Sequence, residues 1–554
     1  MIKIKNSIVL LMVLIGFFSC KEVKLMPIKL DNKLLLKNKE LESLKDFKNW
    51  QFNDILIDTL AGISLTRLYD SLLINKKKKE VIVAVIDMPI EINHIGLVDY
   101  IWTNKKEIPN NQIDDDGNGY IDDIHGWNFL NNLKGENNDF VNYEYTRIIR
   151  KFNSRFDKKT IEAVEPKDTV LFKIYKRART LSKKRQEYAI EDLDYITNVS
   201  KWKNEAEKTI SIYLKKEKYG LNDLDSLKKV FPKNKKLQEA ILKKSNFINW
   251  EYTDTYIDDY KLKAKERINK LLNVNYNDRE IQADNPEDIN NIKYGSPNFN
   301  VDIKLLDHGT KMAGIIANLS LKREIKIMPL AISAFGNEHD KDITLAIRYA
   351  VNNGAKVINM SFSKQLSLKP KWVLEAIKYA NSKNVLIVNG AANDSQDIDD
   401  ELNNRFPNDH NYFNNIEISD NFLRVGSNGI YPDKNIKSSF SNYGKNEVDI
   451  FAPGEYIYTT FPNNNFDLIY GGTSASSALT SAVAGLIFSY YPNLTASQVK
   501  HILMDSGLEY TLEVSTPTKE DKNKTTPFNQ LSKSGKVLNA YNALIMADSI
   551  SSSN

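Results

Sequence analysis

From residue 81 onward the chain alternates between two hydrophobic patterns. Short, nearly continuous apolar runs occupy residues 81–87, 325–330, 356–361 and 385–388. Runs of that length, apolar on both sides, read as parallel strands covered on both faces. Between them, residues 342–352 and 372–382 repeat apolar positions every three or four residues and read as helices. Strand–helix–strand alternation predicts an α/β fold, a doubly covered and mostly parallel sheet. Near the C-terminus, Gly471-Gly472-Thr473-Ser474-Ala475-Ser476-Ser477-Ala478 passes from turn residues into the small, apolar run 479–487, which predicts a buried helix.

Residues 139–293 break this rhythm. They are rich in Lys, Glu and Tyr, and Leu193, Ile196, Val199, Trp202, Ala206 and Ile210 recur at helical spacing on one face. Pro232 interrupts a later helical run. The segment predicts a helical insertion at the rim of the sheet, dividing the domain into residues 49–138 and 294–550. Residues 47–73, with Trp50, Phe52, Ile55, Leu65, Leu68 and Leu72, carry enough apolar surface to pack on that domain.

At the N-terminus, Lys3 and Lys5 precede an apolar stretch over residues 8–18, followed by small Ser19. That pattern describes a secretory signal over residues 1–19 and is too short for a spanning helix. Cys20 is the only cysteine, so no internal disulfide forms. Phe17-Phe18-Ser19-Cys20 resembles a bacterial lipobox. The resemblance implies lipidation of Cys20, a lipid-anchored tether over residues 20–48, and a place on a bacterial membrane, periplasmic or at the cell surface.

Composition narrows the classes further. Hydrophobic residues make up 42% of the 554, as in a folded protein, and the net charge is only +5. No nucleic-acid partner is expected, because the lysines at 76–79 read as a solvated loop.

The candidate chemistry sits where strands end and helices begin. Ser474 opens the small-residue helix, where free N–H groups and the helix dipole favour a developing anion. His308 opens the glycine-rich segment Asp307-His308-Gly309-Thr310-Lys311-Met312-Ala313-Gly314. Asp87 ends the first strand, and Asn393 follows the strand at 385–388. A serine hydroxyl needs a base for its proton and a donor for the oxyanion, and these residues offer both.

The order Asp87, His308, Asn393, Ser474 resembles that of the subtilisin-like serine peptidases, the subtilases. Gly354-Ala355-Lys356-Val357-Ile358-Asn359-Met360-Ser361, Ser439-Phe440-Ser441-Asn442-Tyr443-Gly444 and Phe451-Ala452-Pro453-Gly454 are similar to that family too. The resemblance implies a serine endopeptidase acting on polypeptides through an acyl-enzyme. Ser474 is then the nucleophile, His308 the base, Asp87 its orienting carboxylate and Asn393 the oxyanion donor. It also implies that Ser361, Phe362 and Ser363 pair with substrate backbone as an added strand. No inhibitory prodomain is expected between Cys20 and Val81. Some positions depart from the family pattern. Met88-Pro89 follow Asp87 where Ser or Thr and Gly are usual, Lys311-Met312 replace His and a small aliphatic, Ala392 replaces Gly, and Ala478 replaces Pro. If the Met88-Pro89 turn swings Asp87 away from His308, the alternative is a subtilase-fold binding protein with little or no turnover.

A second site is predicted at Asp114-Asp115-Asp116-Gly117-Asn118-Gly119-Tyr120-Ile121-Asp122-Asp123. Asp114, Asp116, Asn118 and Asp122 fall at EF-hand positions, Tyr120 would offer its carbonyl, and Asp123 or another carboxylate would complete the shell. The expected ion is calcium in a structural role. The remaining histidines, His94, His125, His339, His410 and His501, read as surface or loop residues.

Overall fold

The computed structural model of the protein describes residues 25–30, 47–410 and 416–553. The expected signal segment and Cys20 lie outside the described residues. Thirteen strands are present among those described: β1 (Val81–Asp87), β2 (Trp127–Asn128), β3 (Ile325–Ala331), β4 (Val357–Met360), β5 (Leu386–Gly390), β6 (Phe422–Asn428), β7 (Ile450–Pro453), β8 (Glu455–Phe461), β9 (Asn465–Gly471), β10 (Leu508–Glu509), β11 (Glu513–Ser515), β12 (Thr525–Pro527) and β13 (Lys536–Val537). Nine of them form one sheet in the order β10-β13-β7-β6-β5-β4-β1-β3-β2. All neighbours in it run parallel except β10 and β13.

Before the sheet come α1 (Ile55–Asp58) and α2 (Leu65–Tyr69). The insertion holds α3 (Glu144–Phe156), α4 (Thr169–Ser211), α5 (Leu221–Val230), α6 (Lys235–Asn249) and α7 (Asp254–Glu266). The remainder supplies α8 (Asp307–Leu319), α9 (Asp340–Asn352), α10 (Pro370–Ser382), α11 (Thr473–Tyr490), α12 (Ala496–Asp505) and α13 (Ala540–Ser553). Strand periodicity explains the two cores. Val81, Val83 and Val85 of β1 point into a core shared with α8 and α11. Ala84 and Ile86 point into a second core with α9 and α10. Helix α11 crosses the first core buried along nearly its whole length, which its Ala and Ser residues permit.

Because β1, β4 and β5 are parallel, Asp87, the segment after Met360 and the segment after Gly390 emerge at one edge of the sheet. Both roots of the insertion lie at that edge as well. Going out, Val141 N–H donates to Phe335 O (2.8 Å) just beyond β3. Returning, Ser296 exchanges backbone hydrogen bonds with Asn128 at the end of β2 (2.9 and 3.1 Å). Buried ion pairs fasten the insertion down. Glu144 lies 3.4 Å from buried Lys364 of the domain, and Arg279 forks onto Asp342 of α9 (2.7 and 3.1 Å). Removing one partner of such a pair strands a buried charge, so these bonds fix the insertion's placement more than they stabilise the fold.

Two expectations need correction. On α4 the buried stripe runs through Ile196, Val199, Lys203, Ala206 and Ile210, while Trp202 faces outward. A residue seven positions on from Ile196 returns to the same face of a helix and one six on does not, so Lys203 faces inward and pairs with Asp254 (2.5 Å). The expected tether is also docked in part: Ile28 is buried, its backbone held on both sides by the Asn542 amide (2.7 and 2.9 Å). Residues 47–73 do pack on the domain, with Trp50 buried and its indole N–H donating to Glu455 O (2.8 Å).

Candidate active site

Asp87 ends β1 buried, and its Oδ1 accepts from His308 Nδ1 at 2.6 Å. The same oxygen accepts the N–H of Met88 (2.7 Å), while Oδ2 has no hydrogen-bond partner among the described residues. The Met88-Pro89 turn therefore leaves the carboxylate on the histidine. It also presses on α8. A Cβ at Gly309 would lie 2.1 Å from Met88 O, so the position after His308 has room only for glycine. Burial disfavours the charged imidazole, but the adjacent Asp87 carboxylate and its hydrogen bond outweigh this, and the His308 pKa is raised above 6.5.

Ser474 occupies the first turn of α11. Its hydroxyl donates to Ser361 O (3.0 Å), and among the described residues it has no hydrogen bond to His308. The structure thus joins Asp87 to His308 but leaves Ser474 in a rotamer turned toward Ser361. The segment after β5 grips the start of α11. Asn393 Oδ1 accepts from Thr473 N (2.9 Å), and Ala392 N–H donates to Thr473 Oγ1 (3.0 Å). With its oxygen so held, Asn393 turns Nδ2 toward the space beside Gly472. A Cβ built there would lie 3.8 Å from both Asn393 Nδ2 and Ser474 N. Neither donor has a hydrogen-bond partner among the described residues.

Ala392 sits at φ 74°, in the left-handed region. This is the position where a glycine was expected, and an L-residue is disfavoured there by about 1–2 kcal/mol. Ala392→Gly is expected to raise stability by about 0.5–1 kcal/mol, after the greater flexibility of glycine in the unfolded chain is counted. Urea unfolding of the two proteins checks this, and a lower midpoint for the variant contradicts it.

The predicted substrate strand is only partly as expected. The Ser361 side chain is buried and turned away from the cleft, its Oγ donating to Ser474 O (3.1 Å) and meeting Ser477 Oγ (2.9 Å). Phe362 packs against the second core. Ser363 carries no backbone hydrogen bond among the described residues, which leaves an open edge there. Two organising residues were missed. Asn389 Nδ2 ties β5 to Met360 O and Phe362 O (2.9 Å each). Buried Asn442 donates to Ala391 O (2.9 Å) and accepts from Asp394 N and Gln396 N (3.1 and 2.9 Å), setting the shape of the Asn393 loop. The motif Ser439 to Gly444 contained Asn442, but nothing in the sequence tied it to that loop.

In the Asp-rich segment, carboxylates of Asp114, Asp116 and Glu107 converge, with ligand atoms within 4.8 Å of one another. Glu107, which precedes the motif, is the further carboxylate in place of Asp123. Asn118 Oδ1 accepts from Tyr120 N (2.8 Å), and the Tyr120 ring is buried against Trp127. Two expected ligands point elsewhere. Asp122 accepts the N–H groups of Asn111 and Gln112 (3.1 and 3.0 Å). Asp123 is fully buried, holds Asn104, Asn118 and Tyr349, and is pushed up to about 6 by burial. Of the remaining histidines, His94 and His339 lie in loops as expected but are buried there. His94 is wholly buried, its Nδ1 accepting from Gly96 N (2.9 Å) and its Nε2 meeting Asn465 O (3.0 Å), while His339 is buried against Asp278 (2.9 Å).

A parallel sheet that presents an Asp–His pair and a helix-borne serine at one edge, in the chain order Asp, His, Ser, defines a serine-hydrolase type of centre. The sequence profile of the Subtilase family matches residues 78–531, and the chain belongs to that family. It is 33% identical to the cell wall-associated protease of Bacillus subtilis over 215 residues, 37% of this chain and 22% of that protein. It is 30% identical to subtilisin DY of Bacillus licheniformis over 208 residues, 37% of this chain and 67% of that protein. The chain thus spans about a fifth of the first relative's length and two thirds of the second's. Among solved structures, a lanthipeptide protease is similar at 26% identity and a TM-score of 0.34, over 43% of this chain and 75% of that one.

Proposed function

We propose that the protein is a serine endopeptidase hydrolysing polypeptides through an acyl-enzyme at Ser474. The observation that carries this is the His308–Asp87 hydrogen bond at 2.6 Å, maintained despite the Met88-Pro89 turn. Rotation of the Ser474 hydroxyl from Ser361 O toward His308 Nε2 starts the reaction. Oγ then attacks the scissile carbonyl carbon and its proton passes to Nε2. The developing oxyanion accepts from Asn393 Nδ2 and Ser474 N–H, the two donors without partners beside Gly472. Collapse breaks the C–N bond and the His308 proton goes to the leaving amine. Water, deprotonated by His308, then attacks the acyl carbon, and the C–Oγ bond breaks as the proton returns from Nε2 to Ser474 Oγ. Asp87 holds the Nδ1–H tautomer and stabilises the imidazolium.

Digestion of a reduced, unfolded polypeptide tests the reading. New peptides from the wild type and none from Ser474→Ala support it, and equal digestion by both overturns it. The lipobox-like Cys20 supports an exported protein held to a bacterial membrane by acyl chains. No described helix is long and apolar enough to cross a membrane.

The residues of the Asp-rich segment fit a hard divalent cation, with Glu107, Asp114 and Asp116 supplying oxygen ligands. Calcium there would offset the mutual repulsion of the three converging carboxylates and stabilise the loop. Chelation is expected to lower Tm, and Asp116→Ala is expected to remove that response. An unchanged Tm on chelation overturns the calcium site.

A further inference from the structure

A cleft of about 340 Å³ lies beside the Asn393 loop and is walled on its outer side by the insertion. Ser363, Ala392, Asp394 and Arg405 form the inner wall. Lys184, Arg185 and Tyr188 of α4 form the outer one. Its position follows from Ala392, whose N–H bonds Thr473, the neighbour of Ser474.

The charges in this cleft do not cancel. Both of its carboxylates are already engaged. Asp394 holds buried Arg405 (2.7 Å), and buried Glu144 holds Arg147 (2.5 Å) and lies 3.4 Å from Lys364. Lys364 in turn is paired with Asp340 (2.7 Å). Among the described residues Lys184 and Arg185 form no ion pair, and Asp192, the carboxylate that acts on Arg185 from the same helix, is itself paired with Arg267. Arg185 is held in place by the Tyr143 hydroxyl (3.2 Å) and by stacking over the Tyr143 ring at 5.5 Å. Lys184 leans toward Tyr188, 5.8 Å from its ring. A fixed guanidinium and a nearby ammonium on the wall of a partly desolvated cleft favour a carboxylate occupant.

We propose that Arg185, assisted by Lys184, selects polypeptides carrying an Asp or Glu side chain on the acyl side of the scissile bond. The insertion then acts as a specificity wall contributed to the cleft from outside the sheet. The proposal rests on the peptidase reading above.

The test uses unstructured peptides identical except for Glu or Gln at each of the four positions preceding the scissile bond. At low ionic strength the best Glu peptide is expected to exceed its Gln partner at least fivefold in kcat/KM, with the ratio shrinking as salt is added. Arg185→Gln is expected to bring the ratio close to one, Arg185→Lys to restore part of it, and Arg185→Glu to invert it. A Glu-to-Gln ratio near one in the wild type, or one that survives Arg185→Gln, overturns the proposal while leaving the peptidase reading intact. If the wild type cuts no peptide, the peptidase reading fails, and binding of the same peptide pairs to Ser474→Ala judges the cleft separately. Equal binding of Glu and Gln peptides there overturns the carboxylate preference.

Discussion

Asp87→Asn is expected to lower kcat by on the order of ten-thousandfold, since an amide at that position favours the wrong imidazole tautomer. The loss comes with a diagnostic shift in pH dependence. In the wild type His308 must be neutral to accept the Ser474 proton, and its pKa is raised above 6.5 because Asp87 outweighs the cost of burial. The rising limb of kcat/KM should therefore lie above pH 6.5, with activity lost as pH falls through it. Without the carboxylate, burial and the nearby Lys311 ammonium, which both disfavour the imidazolium, are opposed only by Asp307, so the residual activity of Asp87→Asn should show its limb at lower pH. A variant whose limb stays put, or whose kcat falls less than tenfold, contradicts the assigned role.

Asn393→Asp is the second large effect expected. The substitution keeps an oxygen to accept from Thr473 N, so the start of α11 should remain capped. It removes the Nδ2 donor and adds a negative charge beside the oxyanion. A fall in kcat of about a hundred- to a thousandfold is expected, with KM changed much less. Steady-state kinetics paired with a melting curve separate the causes. Equal losses in kcat and Tm would mean that Asn393 serves the fold and not the transition state.

Most of the sheet was legible because its strands are buried on both faces and must be apolar throughout. The runs expected at 325–330, 356–361 and 385–388 correspond to β3, β4 and β5 within two residues at either end. The catalytic candidates were legible for a related reason: each lies where an apolar strand stops or a small-residue helix starts. What stayed hidden is set by side-chain direction. Ser361 could face the cleft or the core, and its neighbours Ser474 and Ser477 on a distant segment decide for the core. The Asp-rich motif gave spacing but not orientation, so Asp122 and Asp123 looked like ligands although one caps a neighbouring turn and the other is buried. Lys203 was missed because a buried lysine breaks a hydrophobic stripe in the sequence, whereas in the fold it meets Asp254 from another helix. The cationic wall of the cleft was invisible for the same reason. Arg185 and Ala392 lie far apart in the chain, and only the rooting of the insertion at the strand ends brings them together.

Reaction of the purified protein with a fluorophosphonate, followed by peptide mapping, tests the central claim most directly. A single adduct on Ser474, formed quickly in the wild type, far more slowly in His308→Ala, and absent from Ser474→Ala, is the result this structure predicts. No adduct on the folded wild-type protein, or one on another residue, would contradict it.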